Sequence, residues 1–252
     1  MLPIQMKELE ETVFQIKEDT APRPYGFTIN FFHQFWDILK DEIIKIVEES
    51  RRSKGILKAF NATFMTLIPK KEGVDDPSHF RPIALCNVIY KIITKIIANR
   101  LKPLLPRIIS PEQVGSVEGR QILDCVILIH EMAHSMRTTR KPGMFLKIDM
   151  AKAYDKLSWN YLYNALKAFG FQDPWVKWVI NLTSLVFFAI LVNGSPTNCF
   201  SPTTGIHQGG PLSPFLFIIA AEGLGRLLKT RNIGGLIKGL EPHNSGNPYT
   251  HQ

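Results

Sequence analysis

The dipeptide Asn193-Gly194 constrains the chain most, because it stands between two β-prone runs, residues 187–192 and 199–202. A two-residue hairpin turn needs positive φ at its central positions, which Asn and Gly tolerate best, so these runs are predicted to pair antiparallel. A further run, Ala-Thr-Phe-Met-Thr-Leu-Ile-Pro at 62–69, is short, rich in Thr and large apolar residues, and stopped by proline. That pattern suits a strand. The polar stretch 70–80 then reads as a loop.

Much of the remainder carries helical periodicity. Phe32, Phe35, Trp36, Leu39, Ile43, Ile46 and Val47 recur at three- and four-residue spacing, lining one face of a helix over 31–47. The stretch before it, 19–26, holds two prolines and a glycine and reads as an irregular lead-in. Val88, Ile89, Ile92, Ile93, Ile96, Ile97 and Leu101 form a second stripe, with Asn87 as N-cap, Pro103 as stop, and Lys91, Lys95, Arg100 and Lys102 as a basic opposite face. Ile122, Cys125, Val126, Ile129, Ala133 and Met136 form a third, broken by the basic stretch 137–141 and Pro142-Gly143. Residues 144–149 read as a short buried strand ending in Asp149. Residues 159–169 and 175–185 are predicted to be helices, and 205–214 a loop leading into an apolar helix at 215–228.

Composition narrows the class. With 252 residues, 45% hydrophobic and 21% charged, the chain is long enough for one domain or two small ones and is neither disordered nor collagen-like. Cys86, Cys125 and Cys199 lie far apart and odd in number, which fits a reducing compartment rather than a disulfide scaffold. The longest apolar run is too short to span a bilayer and the N-terminus is acidic, so no membrane partner is expected and the chain is expected to be intracellular, with nucleus and cytoplasm both open. The net charge of +8 is uneven: residues 1–49 carry 5 basic and 10 acidic side chains, leaving 25 basic and 12 acidic from residue 50 onward. The basic part can attract phosphate backbones, although such an excess also serves solubility.

Three constellations could carry chemistry. Asp149, at the end of a strand, suits Mg²⁺, a hard cation that takes oxygen ligands; it equally suits capping the next helix. Asp155 is not an obvious co-ligand, since six residues along a helix place it on another face. In the loop Gly205-Ile206-His207-Gln208-Gly209-Gly210-Pro211, adjacent glycines permit close backbone approach and Gln208 offers a donor and an acceptor. Finally, His130-Glu131-Met132-Ala133-His134 matches the zinc-protease pattern H-E-x-x-H, but Arg137 and Arg140 stand where the longer form needs Gly and His, and Glu222 is distant. A polar helix surface is the simpler reading. No Walker phosphate loop occurs, and Gly115-Ser116-Val117-Glu118-Gly119 does not match the hydrolase elbow.

In order and spacing, these segments resemble the reverse transcriptase domain of non-long-terminal-repeat (LINE-type) retrotransposons, in the form common in plant genomes. The resemblance is carried by Phe31-Phe32-His33-Gln34-Phe35-Trp36, the runs 61–70 and 80–87, Gly119-Arg120, 147–157, Asn193-Gly194-Ser195-Pro196 and 208–214. It implies a helix-rich α+β right-hand polymerase: an N-terminal extension at 1–55, fingers at 56–140, a partial palm at 141–240 and a tail at 241–252. The implied activity is RNA-directed DNA polymerisation on an RNA template and DNA primer, from deoxynucleoside triphosphates, with two Mg²⁺ ions. By resemblance, Asp149 is the first metal-binding carboxylate and Met150 adds a backbone carbonyl. Tyr154, beside Ala153, is the gate against a ribose 2′-hydroxyl. Lys70 and Arg81 meet the triphosphate, and Gln208 and Gly209 lie against nucleotide and template.

The chain also departs from the family pattern. Arg23 and Tyr25 stand where glycine and aspartate are usual, Ser116 replaces an aromatic, and His207 and Gly210 replace an arginine and an aspartate. The aromatic-Ala-Asp-Asp motif with the remaining catalytic carboxylates is expected next, but the sequence reaches Tyr249-Thr250-His251-Gln252 before it, and the thumb is expected to be absent. The expectation is a chain without polymerase activity of its own, with a non-catalytic RNA-binding remnant as the rival reading.

Overall fold

Strand β1 (Ala62–Pro69) has partners on both sides. It pairs antiparallel with β2 (Phe80–Cys86), Thr63 opposite Cys86 and Ile68 opposite Arg81. It pairs parallel with β3 (Phe187–Val192), Ala62 opposite Phe187 and Met65 opposite Ile190. β3 returns through Asn193-Gly194, with φ of 51° and 81°, into β4 (Ser195–Pro196), so the sheet runs β2-β1-β3-β4. Positive φ at both turn positions matches the right-handed twist of the flanking strands. This computed structural model describes residues 1–17, 26–73, 76–140 and 142–235; most of the lead-in at 19–26, Lys141 and the tail 241–252 lie outside them.

β2 has no counterpart in the periodicity reading. Pro82 interrupts the run and cannot donate to a ladder, which confines such a strand to an edge, and β2 is an edge.

Helices make up most of the rest: α1 (Met6–Gln15), α2 (Ile29–Gln34), α3 (Trp36–Ser53), α4 (Val88–Leu101), α5 (Leu105–Ile108), α6 (Ile122–Thr139), α7 (Ala153–Lys156), α8 (Trp159–Ala168), α9 (Asp173–Ser184) and α10 (Ser213–Ile233). The fold class is α+β, as the sequence implies. The single helix expected over 31–47 is two, interrupted at Phe35, whose ψ of 23° departs from helical geometry. The face that α3 buries is Trp36, Ile43, Val47 and Ser50, and Ser50 Oγ accepts the indole N–H of Trp178 on α9 at 2.9 Å.

Asn87 caps α4, its Oδ1 accepting from Ile89 N at 2.9 Å. The expected basic face of α4 is narrower than the sequence suggests. Ile92, Ile93, Thr94, Ile96, Ile97 and Ala98 are all buried, so the helix is covered nearly all round and Lys91 and Lys95 are only half-exposed. Arg100 turns inward instead. It grips Glu8 of α1 at 2.6 and 2.7 Å and donates to the carbonyls of Leu2 and Pro3.

The chain divides into two compact units, each made of two segments. Met1–Arg100 with Lys152–Pro214 contains the whole sheet; Leu101–Ala151 with Phe215–Gln252 contains α5, α6 and most of α10. Within the second unit, buried Glu222 accepts from the backbone and hydroxyl of Ser110 at 3.1 and 2.5 Å and from Arg226 at 3.2 Å.

One expectation fails in this unit and another holds. The run 144–149 is not a buried strand: its backbone is irregular and its residues are exposed, Leu146 by 74%. A β-prone run becomes a strand only when a neighbour takes its N–H and C=O groups, and no described strand lies beside it. The third helix forms as α6, although its stripe is not core: Ile122, Val126 and Ile129 are exposed and α6 has no buried residue.

Candidate functional site

Lys70 and Arg81 lie near the turn between β1 and β2. Arg81 is paired across the ladder with Ile68, two residues before Lys70. Side chains alternate along a strand and opposed residues share a face, so the two cations project from the same side of the ribbon. Both are exposed. Lys70 is held in part, its Nζ donating to the Ser78 carbonyl at 3.1 Å and its backbone N–H to His79 at 2.9 Å. The guanidinium of Arg81 forms no hydrogen bond or ion pair among the described residues.

A second cluster joins α7 to the loop 204–210. Lys152 takes a left-handed conformation, φ 52°, and starts the short turn that presents Ala153, Tyr154 and Asp155. The backbone N–H groups of Gly205 and Ile206 donate to the carbonyls of Leu157 and Tyr154, both at 2.8 Å, and Thr204 Oγ1 donates to the Asp155 carbonyl at 2.8 Å. Trp159 Nε1 donates to the Gly205 carbonyl at 2.7 Å. Gly205 is required here: its φ is +98°, and a Cβ would sit 2.8 Å from the Asp155 carbonyl oxygen. The Gln208 amide donates to Asp155 Oδ1 at 3.2 Å, while the Gln208 carbonyl accepts from Ala84 N of β2 at 3.0 Å. Tyr154, Gln208 and β2 therefore form one hydrogen-bonded assembly. Gly209, φ +95°, gives the loop its sharp exit beside Ile83 and Ala84. Burial raises the Tyr154 phenol above its ordinary pKa, keeping the side chain neutral.

His207, next to Gln208, sits in the core. It is buried, stacks at a tilt on Tyr90 and Phe188 with centroids 4.8 and 5.4 Å away, and its Nδ1 lies 3.0 Å from the Tyr90 hydroxyl. Burial lowers its pKa to about 4, so the ring is neutral near pH 7. The arginine-for-histidine difference noted in the sequence thus replaces an obligatory cation with a neutral group in the core.

Asp149 and Met150 stand on the irregular, exposed segment and belong to the unit containing α6, whereas Tyr154 and Gln208 belong to the sheet-bearing unit. Among the described residues, no three His, Cys, Asp or Glu side chains converge to hold a metal ion. His130, Glu131 and His134 are exposed on α6 without a third ligand, so the zinc-protease reading has no support. Arg120 spends its guanidinium on the carbonyls of Pro106, Ile109, Ser110 and Gln113, a structural duty.

Sequence reasoning missed two residues of the loop assembly. Asp155, no obvious metal ligand by its spacing, has Gln208 as its partner far along the chain, and no local signal announces that bond. Trp159 was read only as a helix start.

Residues 68–241 match the family described as "Reverse transcriptase (RNA-dependent DNA polymerase)". The uncharacterised 149 kDa protein of transposon TX1 from Xenopus laevis is 31% identical over 236 residues, 94% of this chain and 18% of that protein. A Pol polyprotein of a type-1 R2 retrotransposable element from Popillia japonica is 32% identical over 174 residues, 68% of this chain and 24% of that protein. The R2DM counterpart from Drosophila melanogaster is 28% identical over 163 residues, covering 65% of this chain and 15% of that protein. The chain therefore spans less than a quarter of the length of these curated relatives. No described helix is long and apolar enough to cross a membrane. The match over 68–241, with related retrotransposon proteins, places this chain in the reverse transcriptase family, among those of non-long-terminal-repeat elements.

Proposed function

We propose that this chain holds RNA template, DNA primer and incoming deoxynucleoside triphosphate for RNA-directed DNA synthesis, and that by itself it does not extend a primer. The observation that carries the binding half is the Ile68–Arg81 pair, with the ladder continued by the Lys70 N–H to His79 bond, which puts Lys70 and Arg81 on one face of the ribbon. Two cations so placed can neutralise triphosphate oxygens, which is the main demand of phosphoryl transfer. Tyr154 and the Gln208-Gly209 loop, tied together through Asp155, would meet sugar and base. On this reading residues 56–140 act as fingers and 141–240 as palm.

Reverse transcriptases use divalent metal ions, and on this proposal the ions are two Mg²⁺ approached by Asp149 and the Met150 carbonyl. The donors in the described residues do not fit such a pair: Asp149 sits on exposed, irregular backbone and no group of three metal-ligating side chains forms. A two-metal centre needs oxygen ligands held at fixed geometry. On this proposal the chain binds its substrates without turning them over.

Primer extension on a homopolymer RNA template with Mg²⁺ tests the catalytic half. The expected result is no extension above background; robust extension that is lost in Asp149→Asn would overturn it. Retention of labelled deoxynucleoside triphosphate tests the binding half, with Lys70→Ala and Arg81→Ala each expected to weaken it several-fold.

A further inference from the structure

An open cavity of about 360 Å³ lies against the inner side of the loop 204–208, wholly within the sheet-bearing unit. This volume lies in the range of small-molecule sites. Its walls are flat and apolar, including Phe188, Phe200, Pro82 and Met65, with the Phe188 and Phe200 rings 5.9 Å apart and tilted by 41°. Asp155, Gln208 and buried His207 line it as well.

Two facts set the chemistry of an occupant. Asp155 makes no ion pair among the described residues, and its one side-chain hydrogen bond comes from neutral Gln208. A half-buried carboxylate in mostly apolar surroundings favours a hydrogen-bond donor, best a cationic one, and repels phosphate. In addition, Met65, Ala84 and Pro82 line the cavity, while Lys70 and Arg81 project from the opposite face of the same ribbon. The cations that would neutralise a phosphate are thus turned away.

We infer that this cavity binds a small planar heteroaromatic amine, its ring against Phe188 and Phe200 and its amino group donating to Asp155. Gln208 takes only Asp155 Oδ1, so Oδ2 can accept from the amino group while the loop stays anchored. The inference stands whether or not the chain binds nucleotide.

Calorimetric titration of the whole chain with 2-aminobenzimidazole tests it. The expected result is saturable one-to-one binding with Kd at or below about 1 mM, the scale for a ligand of this size. Asp155→Asn and, separately, benzimidazole lacking the amino group should each bind at least tenfold more weakly. Thr203→Trp, a change at the exposed lip that fills the mouth, should abolish binding. A single cooperative melting transition in each establishes that both variants are folded. Heat that never saturates, or an affinity unchanged in both variants, overturns the proposal. No polymerase or nucleotide measurement enters, so failure here is distinct from failure of the function proposed above.

Discussion

The side-chain amide of Gln208 donates to the carboxylate of Asp155 across 3.2 Å, fastening the glycine-rich loop to the turn that carries Tyr154. A hydrogen bond to a charged group contributes more than a neutral one. Because this bond is long and half-exposed, Asp155→Ala is expected to lower stability at the low end of the charged range, by about 1.5 kcal/mol in urea unfolding, and to shift the Gln208 side-chain amide resonances. Asp155→Asn, which keeps an acceptor, should lose less. Equal stability of Asp155→Ala and the parent chain would show that the bond contributes nothing.

Gly205 meets the same turn through its missing side chain. A methyl group there encounters the Asp155 and Tyr154 carbonyl oxygens at 2.8 and 3.0 Å, on a backbone with φ of +98°. Gly205→Ala combines strain with a clash against backbone and should cost more than about 1 kcal/mol. Gly194→Ala, with φ +81° but nothing within 4 Å, isolates the strain alone and should cost less. The comparison needs only two equilibrium unfolding curves.

Buried His207 makes stability depend on pH. Its folded pKa is about 4 against an ordinary 6.5, so the unfolded chain takes up a proton that the folded chain refuses. Its contribution is fully present above pH 6.5 and declines as pH falls toward 4, by up to about 3 kcal/mol. The difference between parent and His207→Gln, measured by urea unfolding from pH 7 to 4, should shrink in that window. Asp173, lowered to about 2 by Lys177 and Tyr163, acts in a separate window, contributing above its ordinary 3.8 and losing that contribution as pH falls toward 2. A parent-minus-variant difference that stays flat between pH 6.5 and 4 would show that His207 is not buried neutral.

Arg100 holds the N-terminal residues by a fork that lysine cannot copy. It reaches both Glu8 oxygens together with the carbonyls of Leu2 and Pro3. Arg100→Lys keeps the charge but loses the bidentate geometry, and should cost about 1–2 kcal/mol. Limited proteolysis should then cut first near residues 1–5, while the sheet stays protected. Unchanged cleavage would mean that the segment is held by apolar contacts instead.

What could be read from the sequence was what is encoded locally. The Asn193-Gly194 turn, the Asn87 cap and the proline-stopped β1 each depend on residues within a few positions, and each appears where expected. β2 was missed because Pro82 argues against a strand until one knows that it lies at an edge. Residues 144–149 differ in the opposite direction: apolar patterning announces that a surface can be buried, not what will cover it, and the exposed stripe of α6 shows the same. The Asp155–Gln208 bond joins distant parts of the chain and has no periodic trace.

The parallel pairing of Ala62 with Phe187 also sets a timetable for biosynthesis. At a synthesis pace of about 5–20 residues per second, β1 leaves the ribosome roughly 6–25 s before β3 can join it. During that interval the β1–β2 hairpin has an open ladder edge beside Thr63, Phe64 and Met65, the kind of surface that recruits foreign strands. Until β3 arrives, crowding is thus a greater hazard to β1 than to any strand of the finished sheet.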